Sequence, residues 1–367
     1  MIPVFKPIIS KSDKNSVLKA LARGEISGTF GKSIIDLERN FSKYIGTRYA
    51  VSTSSGSTAL HLSIAALELK EGSEIIVSST TNIASALAIT HNRCIPVPID
   101  SNKNHWNIDC NIIEKSITKK TKAIIVVHFL GNPADMIKIN KIAKKYKIHV
   151  IEDAAEAHGA EINKKKVGSF GISGCFSFYA NKVITSGEGG IITTNNKKYY
   201  EKLKLYRNLG FTTPRFVHFI QGFNFRMTGY QAALVDNQLK RINKIVSKKI
   251  EIYKLYEKYL KQIKGIDFQE IQNRCKHVYW MVGLVLNKEY KLSKNDLQKK
   301  LRKNGIDTRD FFKSIATQPC FSKVISKEKS TPISNNLWKN GIYLPSSYDL
   351  TEKQIQKICK LIDKYSK

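Results

Sequence analysis

AIIVVHFL (123–130), ADMIKINKIAKKYK (134–147) and HVIEDA (149–154) follow one another near the middle of the chain, and their reading decides the fold. The first is a short apolar, β-branched run of the kind buried on both faces of a sheet. The second reads as an amphipathic helix, and the third is again strand-like. Strand, helix and strand in this order form a unit that closes only when its two strands run parallel. The same rhythm extends upstream: helical ALHLSIAALEL (59–69), strand EIIVS (74–78), helical IASALAITHN (83–92) and strand IPVPID (95–100). Downstream, CFSFY (175–179) and GGIITTN (189–195) add strands. The expected fold is therefore α/β, a mostly parallel central sheet with helices on both faces.

Beyond this region the text changes. A long helical pattern covers about 229–262, then come strand-like VYWMVGLVL (278–286), helical DLQKKLRKNG (296–305) and a last helix TEKQIQKICKLIDKY (351–365). We expect a large domain over 1–245 and a small C-terminal α/β domain over 246–367, a division that 367 residues can support. Hydrophobic residues make up 42% and charged residues 25%, a globular balance. No run of 18 apolar residues suggests a membrane span, and the first residues lack the apolar core of a signal peptide, so a cytoplasmic protein is expected. Six scattered cysteines without a CxxC pair argue against a disulfide framework and against a zinc site, and no metal is expected. The formal charge of +31 favours anionic partners. The lysines are spread along the whole chain without any DNA- or RNA-binding signature, so a phosphate-bearing small molecule is expected rather than nucleic acid.

Three segments carry chemistry. Ser54–Thr58 (SSGST) precedes a helix, where free backbone N–H groups and the helix dipole can cradle a phosphate, and Gly56 permits close approach. The same residues also suit an ordinary helix cap. Asp153 stands at the carboxyl end of a strand, where open α/β sheets bind ligands. It could pair with a cationic ring nitrogen or simply cap the next helix. Lys182 sits between an aromatic strand and a glycine-rich turn (Gly187, Gly189, Gly190), among apolar residues. A desolvated lysine has a lowered proton affinity and forms Schiff bases. Taken together, the three supply what pyridoxal phosphate (PLP) needs: a phosphate cup, an acid beside the pyridine nitrogen, and an amine for the aldehyde.

The wording of MIPVFKP (1–7), SGSTALHLSIAAL (55–67), TKAIIVVHFLGNPADM (121–136), VIEDAAEAHGA (150–160), the whole of 166–195, FNFRMTGYQAAL (223–234) and VYWMV (278–282) resembles the nucleotide-sugar aminotransferases. These are PLP-dependent transferases of fold type I, the aspartate-aminotransferase fold. Within them the resemblance is nearest to the GDP-perosamine synthase type, which aminates C4 of a GDP-linked 4-keto-6-deoxy sugar for surface glycans such as lipopolysaccharide O-antigen. It implies that Lys182 is the Schiff-base lysine and Asp153 the partner of the ring nitrogen. Glu156 takes a place near the ring that is Gln or Glu in relatives. Gly56, Ser57 and Ser177 match phosphate-binding positions. Asn224 resembles a residue that reaches the phosphate from a neighbouring subunit, which implies a homodimer with shared active sites. Arg226 and Arg309 are candidates for substrate anions. Relatives with His in place of the lysine act as dehydratases, so Lys182 favours transamination with glutamate as donor. Where relatives stack an aromatic residue on the ring, this chain has Asn82. It also departs from the perosamine-synthase wording at 24–31 and 308–319, where the sugar pocket is shaped. Amination at C3, or of a UDP- or dTDP-linked sugar, is the alternative within the family; a PLP-fold regulatory protein without turnover is the alternative outside it.

Overall fold

The computed structural model describes residues 1–325 and 330–366. The chain forms β1 (Tyr49–Thr53), β2 (Glu74–Ser78), β3 (Ile95–Ile99), β4 (Thr121–Val127), β5 (His149–Asp153), the two-residue strands β6 (Glu161–Ile162) and β7 (Lys165–Lys166), then β8 (Ser173–Ser177) and β9 (Gly190–Thr194). Seven of these make one sheet in the order β1-β9-β8-β5-β4-β2-β3. Its neighbours pair in parallel except that β9 runs against both β1 and β8. Alternate residues of each strand go to opposite cores, as a period of two requires. Ile75, Val77, Ile125 and Ile151 join one apolar cluster; Ile76, Ile124, Val126 and Val150 join the other. Two covered faces explain why these strands read as continuous apolar runs.

A second sheet holds β10 (Ile266–Asp267), β12 (Val282–Leu286), β13 (Arg309–Asp310) and β14 (Gly341–Leu344), antiparallel in the order β10-β12-β14-β13. The helices Ile242–Leu260, Lys294–Lys303 and Glu352–Lys364 bury Ile252, Tyr256, Leu297, Leu301, Ile355 and Ile358 with this sheet in a third cluster. The amino terminus lies against this part of the molecule: Ile2 bridges to Ile306, and Ser346 N–H donates to the Val4 carbonyl. β11 (Cys275–Lys276) pairs with β6, a further tie between early and late sequence.

Two sequence expectations differ in an informative way. The pattern over 229–262 is two helices, Gly229–Leu239 and Ile242–Leu260. Arg241 leaves helical geometry between them, and its guanidinium forks onto the fully buried Asp13 at 2.7 and 2.5 Å. No Gly or Pro marks this break; a distant carboxylate imposes it. The strand expected over 278–286 starts only at Val282. Tyr279 takes a positive φ of 49°, and the irregular turn carries Trp280 toward the carboxyl ends of the main sheet. Among the described residues no helix is long and apolar enough to cross a membrane.

Candidate active site

Strand β5 ends at Asp153, β8 ends at Ser177, and the helix Gly56–Ala65 starts just after β1. Their ends meet at one cavity of about 380 Å³, and Gly56, Ser57, Asn82, Asp153, Glu156, Ser177 and Lys182 all line it. This is the carboxyl edge of the parallel strands, where such sheets leave room for a ligand.

Lys182 is presented by a braced loop. Its own N–H donates to the Tyr179 carbonyl at 2.9 Å. Thr185 exchanges two hydrogen bonds with the side chain of Gln238, 3.1 Å from its N–H and 2.6 Å to its carbonyl. The Lys182 ammonium lies 4.0 Å from the centre of the Trp280 ring. Burial lowers its proton affinity, and the carboxylates of Glu156 and Asp153 push back. A partly desolvated amine held against an aromatic face is primed to act as a nucleophile.

Asp153 is 5% exposed. The Ser85 hydroxyl donates to its Oδ2 at 2.7 Å and the Ala155 N–H to its Oδ1 at 3.2 Å; Thr81 in turn lies 2.8 Å from the Ser85 hydroxyl. Burial raises the Asp153 pKa against these donors and against the charge of Lys182. A carboxylate so placed gains most from a cationic partner inside the cavity. Glu156, equally buried, accepts the Leu130 N–H at 2.8 Å, and burial pushes its pKa up to about 7 although Lys182 opposes the shift. His158, packed with ring centres 5.3 Å from Phe176 and 5.9 Å from Phe178, is held uncharged by burial, its pKa lowered to about 3.

The phosphate-cup segment combines both readings of its sequence. Ser55 caps the helix through a reciprocal pair with Thr58, so its hydroxyl is spent on the cap. The N–H groups of Gly56 and Ser57 stay at the first turn, facing the cavity with the positive end of the helix dipole. A Cβ on Gly56 would lie 2.7 Å from the Ser177 Cβ, so the approach of β8 to the helix start requires glycine there. Ser177 is buried, and its hydroxyl accepts the Tyr179 N–H at 3.2 Å.

Three expected site residues do not line this cavity within one chain. Asn224 is exposed and its backbone bridges to Asn208. Arg226 donates to the Asn208 side chain at 2.9 Å. Arg309 is exposed on β13, opposite Tyr343. Asn82 caps the helix Ile83–His91 by accepting the Ala84 N–H at 3.0 Å, so it has a local role besides lining the cavity. Aromatic rings come from elsewhere: Trp280 and Phe312 line the same space, and Tyr179 borders it. Sequence reading missed Trp280, Phe312, Ser85 and Thr81 as site residues. The dense aromatic text around Tyr279 and Trp280 was a usable signal for the first; the hydroxyls of Thr81 and Ser85 carry none without the fold.

The chain matches the DegT/DnrJ/EryC1/StrS aminotransferase family over residues 7–363. It belongs to that family. A GDP-perosamine synthase of Escherichia coli O157:H7 is 36% identical, with 99% of this chain and 98% of that protein covered. A dTDP-3-amino-3,6-dideoxy-alpha-D-galactopyranose transaminase of Aneurinibacillus thermoaerophilus is 34% identical over 96% of each. The solved structure of an E. coli GDP-4-keto-6-deoxy-D-mannose-3-dehydratase with bound hydrated PLP superposes with a TM-score of 0.92 at 25% identity, covering 99% of each chain. The α/β architecture with its mostly parallel sheet is thus that of PLP-dependent family members, and the chain is an aminotransferase.

Proposed function

We propose that this aminotransferase uses PLP to move an amino group from glutamate to the keto carbon of a nucleotide-linked 4-keto-6-deoxy sugar, in the manner of a GDP-perosamine synthase, for surface glycan synthesis. The observation that carries the reading is the meeting of Lys182, Asp153 and Gly56 around one cavity. The residues fit the cofactor: a glycine cradle that a single Cβ would fill, a buried carboxylate short of positive charge, and a desolvated amine. When bound, PLP supplies an aldehyde that takes up the amino group and a ring that accepts carbanion charge.

The chain's own groups do the rest. The N–H groups of Gly56 and Ser57 and the Ser177 hydroxyl would hold the phosphate. Asp153, oriented by Ser85 and the Ala155 N–H, would hold the proton on the ring nitrogen. The Lys182 Nζ would hold the cofactor through its aldehyde and, as a free amine, would carry the proton that leaves the donor Cα. Trp280, Phe312 and Tyr179 would keep water from that proton. Asn224 would serve a second subunit's phosphate, in keeping with its exposure away from its own cavity, so the working unit is a homodimer. Arg226 and Arg309 remain the proposed contacts for substrate anions.

The transaminase relative with a dTDP-linked 3-amino sugar favours a second reading, amination at C3 of a dTDP- or UDP-linked keto sugar. A panel of GDP-, dTDP- and UDP-linked keto sugars with ¹⁵N-glutamate separates the two. The leading reading expects label in the 4-amino product of the GDP-linked sugar, with one 2-oxoglutarate released per label. Label only in a 3-amino product selects the second reading, and no transfer from glutamate to any sugar of the panel overturns both.

A further inference from the structure

A second cavity, of about 90 Å³, also has Lys182 in its lining but lies between the amino-terminal segment and the helix Ile242–Leu260. Four cationic side chains border it: Lys6, Lys182, Arg241 and Lys249. Three of them have acids to answer them. Arg241 is forked onto Asp13, which Arg241 and further donors hold at a pKa of about 2 against the effect of burial. Lys6, at the rim, stands 3.6 Å from Asp349. Lys182 feels Asp153 and Glu156 across the active-site side.

Lys249 has none. It is 3% exposed, it donates to the Ser346 carbonyl, and its ammonium lies 5.6 Å from the centre of the Phe5 ring. One acceptor serves three ammonium protons, and a buried charge without a partner is costly. The groups facing it from the surrounding elements are the Arg241–Asp13 pair, Lys6 with Asp349, Lys182 and the Tyr348 side chain, so each neighbouring cation has its acid and the Lys249 charge is left to be balanced. The rest of the wall mixes apolar Phe5, Ile8 and Ile245 with polar Ser10, Thr185 and Gln238. The volume exceeds what a single water requires, so there is room for a small ion beside the ammonium.

We propose that this cavity binds a small monovalent anion, of halide or formate size, on the Lys249 ammonium. The ion would tie the amino-terminal segment to the helix Ile242–Leu260 and lie behind the loop that presents Lys182. The inference rests on neither cofactor nor substrate. Burial alone lowers Lys249 to about 7, so above neutrality each ion that binds must bring one proton with it.

The test uses the protein as purified, with its cofactor. Crystals grown in bromide should show an anomalous peak in contact with the Lys249 Nζ. In solution, bromide exchanged for gluconate at constant ionic strength should raise the melting temperature of the wild type at pH 6.5. The apparent bromide affinity should then fall about tenfold per pH unit above neutrality, as proton uptake requires. Lys249→Met should melt at one temperature in both salts. Its folding is expected, because an apolar side chain of similar length replaces an unpaired buried charge. If that variant does not fold, the wild-type crystal decides alone. No anomalous peak in the wild type, or a bromide-dependent shift that persists in Lys249→Met, overturns the proposal.

Discussion

The ammonium of Lys182 lies 4.0 Å from the centre of the Trp280 ring, and the indole N–H of Trp280 donates at 2.8 Å to the carbonyl of Asn181, the residue just before that lysine. Ring and amine are therefore fixed by the same loop. A ring near a cation contributes about 1–2 kcal/mol when water is excluded. Trp280→Phe keeps a ring but loses the tether, and we predict a fall in kcat/KM of about tenfold. Trp280→Ala loses both and should fall about a hundredfold, with the larger part in kcat because the amine is no longer aimed. Steady-state kinetics with glutamate check this; equal effects of the two variants would assign the tether, not the ring, the whole role.

Asp153 is expected to matter through charge rather than packing. Asp153→Asn keeps the shape and a carbonyl that can still accept from Ser85, yet cannot balance a cation. We predict a loss in kcat of at least about a hundredfold, the scale of a misplaced acid–base partner. Ser85→Ala, which only loosens Asp153, should cost about tenfold, near the worth of one hydrogen bond to a charged group. Single-turnover measurements of the half-reaction with glutamate compare the two directly.

The Gly56–Ser177 contact predicts a coupled pair. Gly56→Ala places a methyl 2.7 Å from the Ser177 Cβ. The overpacking should destabilise the protein by about 1–3 kcal/mol and weaken cofactor retention. Ser177→Gly in the same chain removes the obstructing Cβ and should recover part of the stability but not the retention, because the Ser177 hydroxyl is lost as well. Melting temperatures and cofactor dissociation rates of the four combinations make the cycle.

Glu156 sets a pH dependence in the cofactor-free protein. Its folded pKa is raised from 4.5 to about 7, so ionising it costs stability that begins to be lost above the unfolded value and is fully lost above the folded one. Glu156→Gln stays neutral and can still accept the Leu130 N–H. The variant should exceed the wild type by about 3 kcal/mol at pH 8, at ~1.4 kcal/mol per pKa unit, with the gap closing as pH falls toward 4.5. Denaturant melts at pH 5 and pH 8 check it; a gap that widens toward acid would contradict the assignment.

These sites show what the sequence could and could not disclose. The strands β2 and β5 were legible to within a residue because both faces are buried and β-branched residues form their centres, Ile75–Val77 in one and Val150–Ile151 in the other. Lys182, Asp153, Glu156, Gly56, Ser57, Ser177 and Asn82 share one cavity because each stands at or near the end of an element whose period the sequence reveals. Trp280 escaped notice because an apolar run containing it read as regular strand, while tertiary contacts at Val278 and Trp280 bend the chain there. The break at Arg241 escaped for the same kind of reason: its cause is Asp13, more than two hundred residues away. Helices Lys11–Ala22 and Lys32–Ile45 were also unread, since their apolar positions become meaningful only against the helix Gly229–Leu239 they pack on.

The central claim is that one amine, the Nζ of Lys182, carries the cofactor. Reduction of the purified protein with borohydride, followed by proteolysis and mass mapping, tests it most directly. The account predicts a phosphopyridoxyl group on the peptide containing Lys182 and none on that peptide when Lys182→Ala is treated alike. Label on another lysine, Lys249 included, or a protein purified with PLP that carries no label at Lys182, would contradict it.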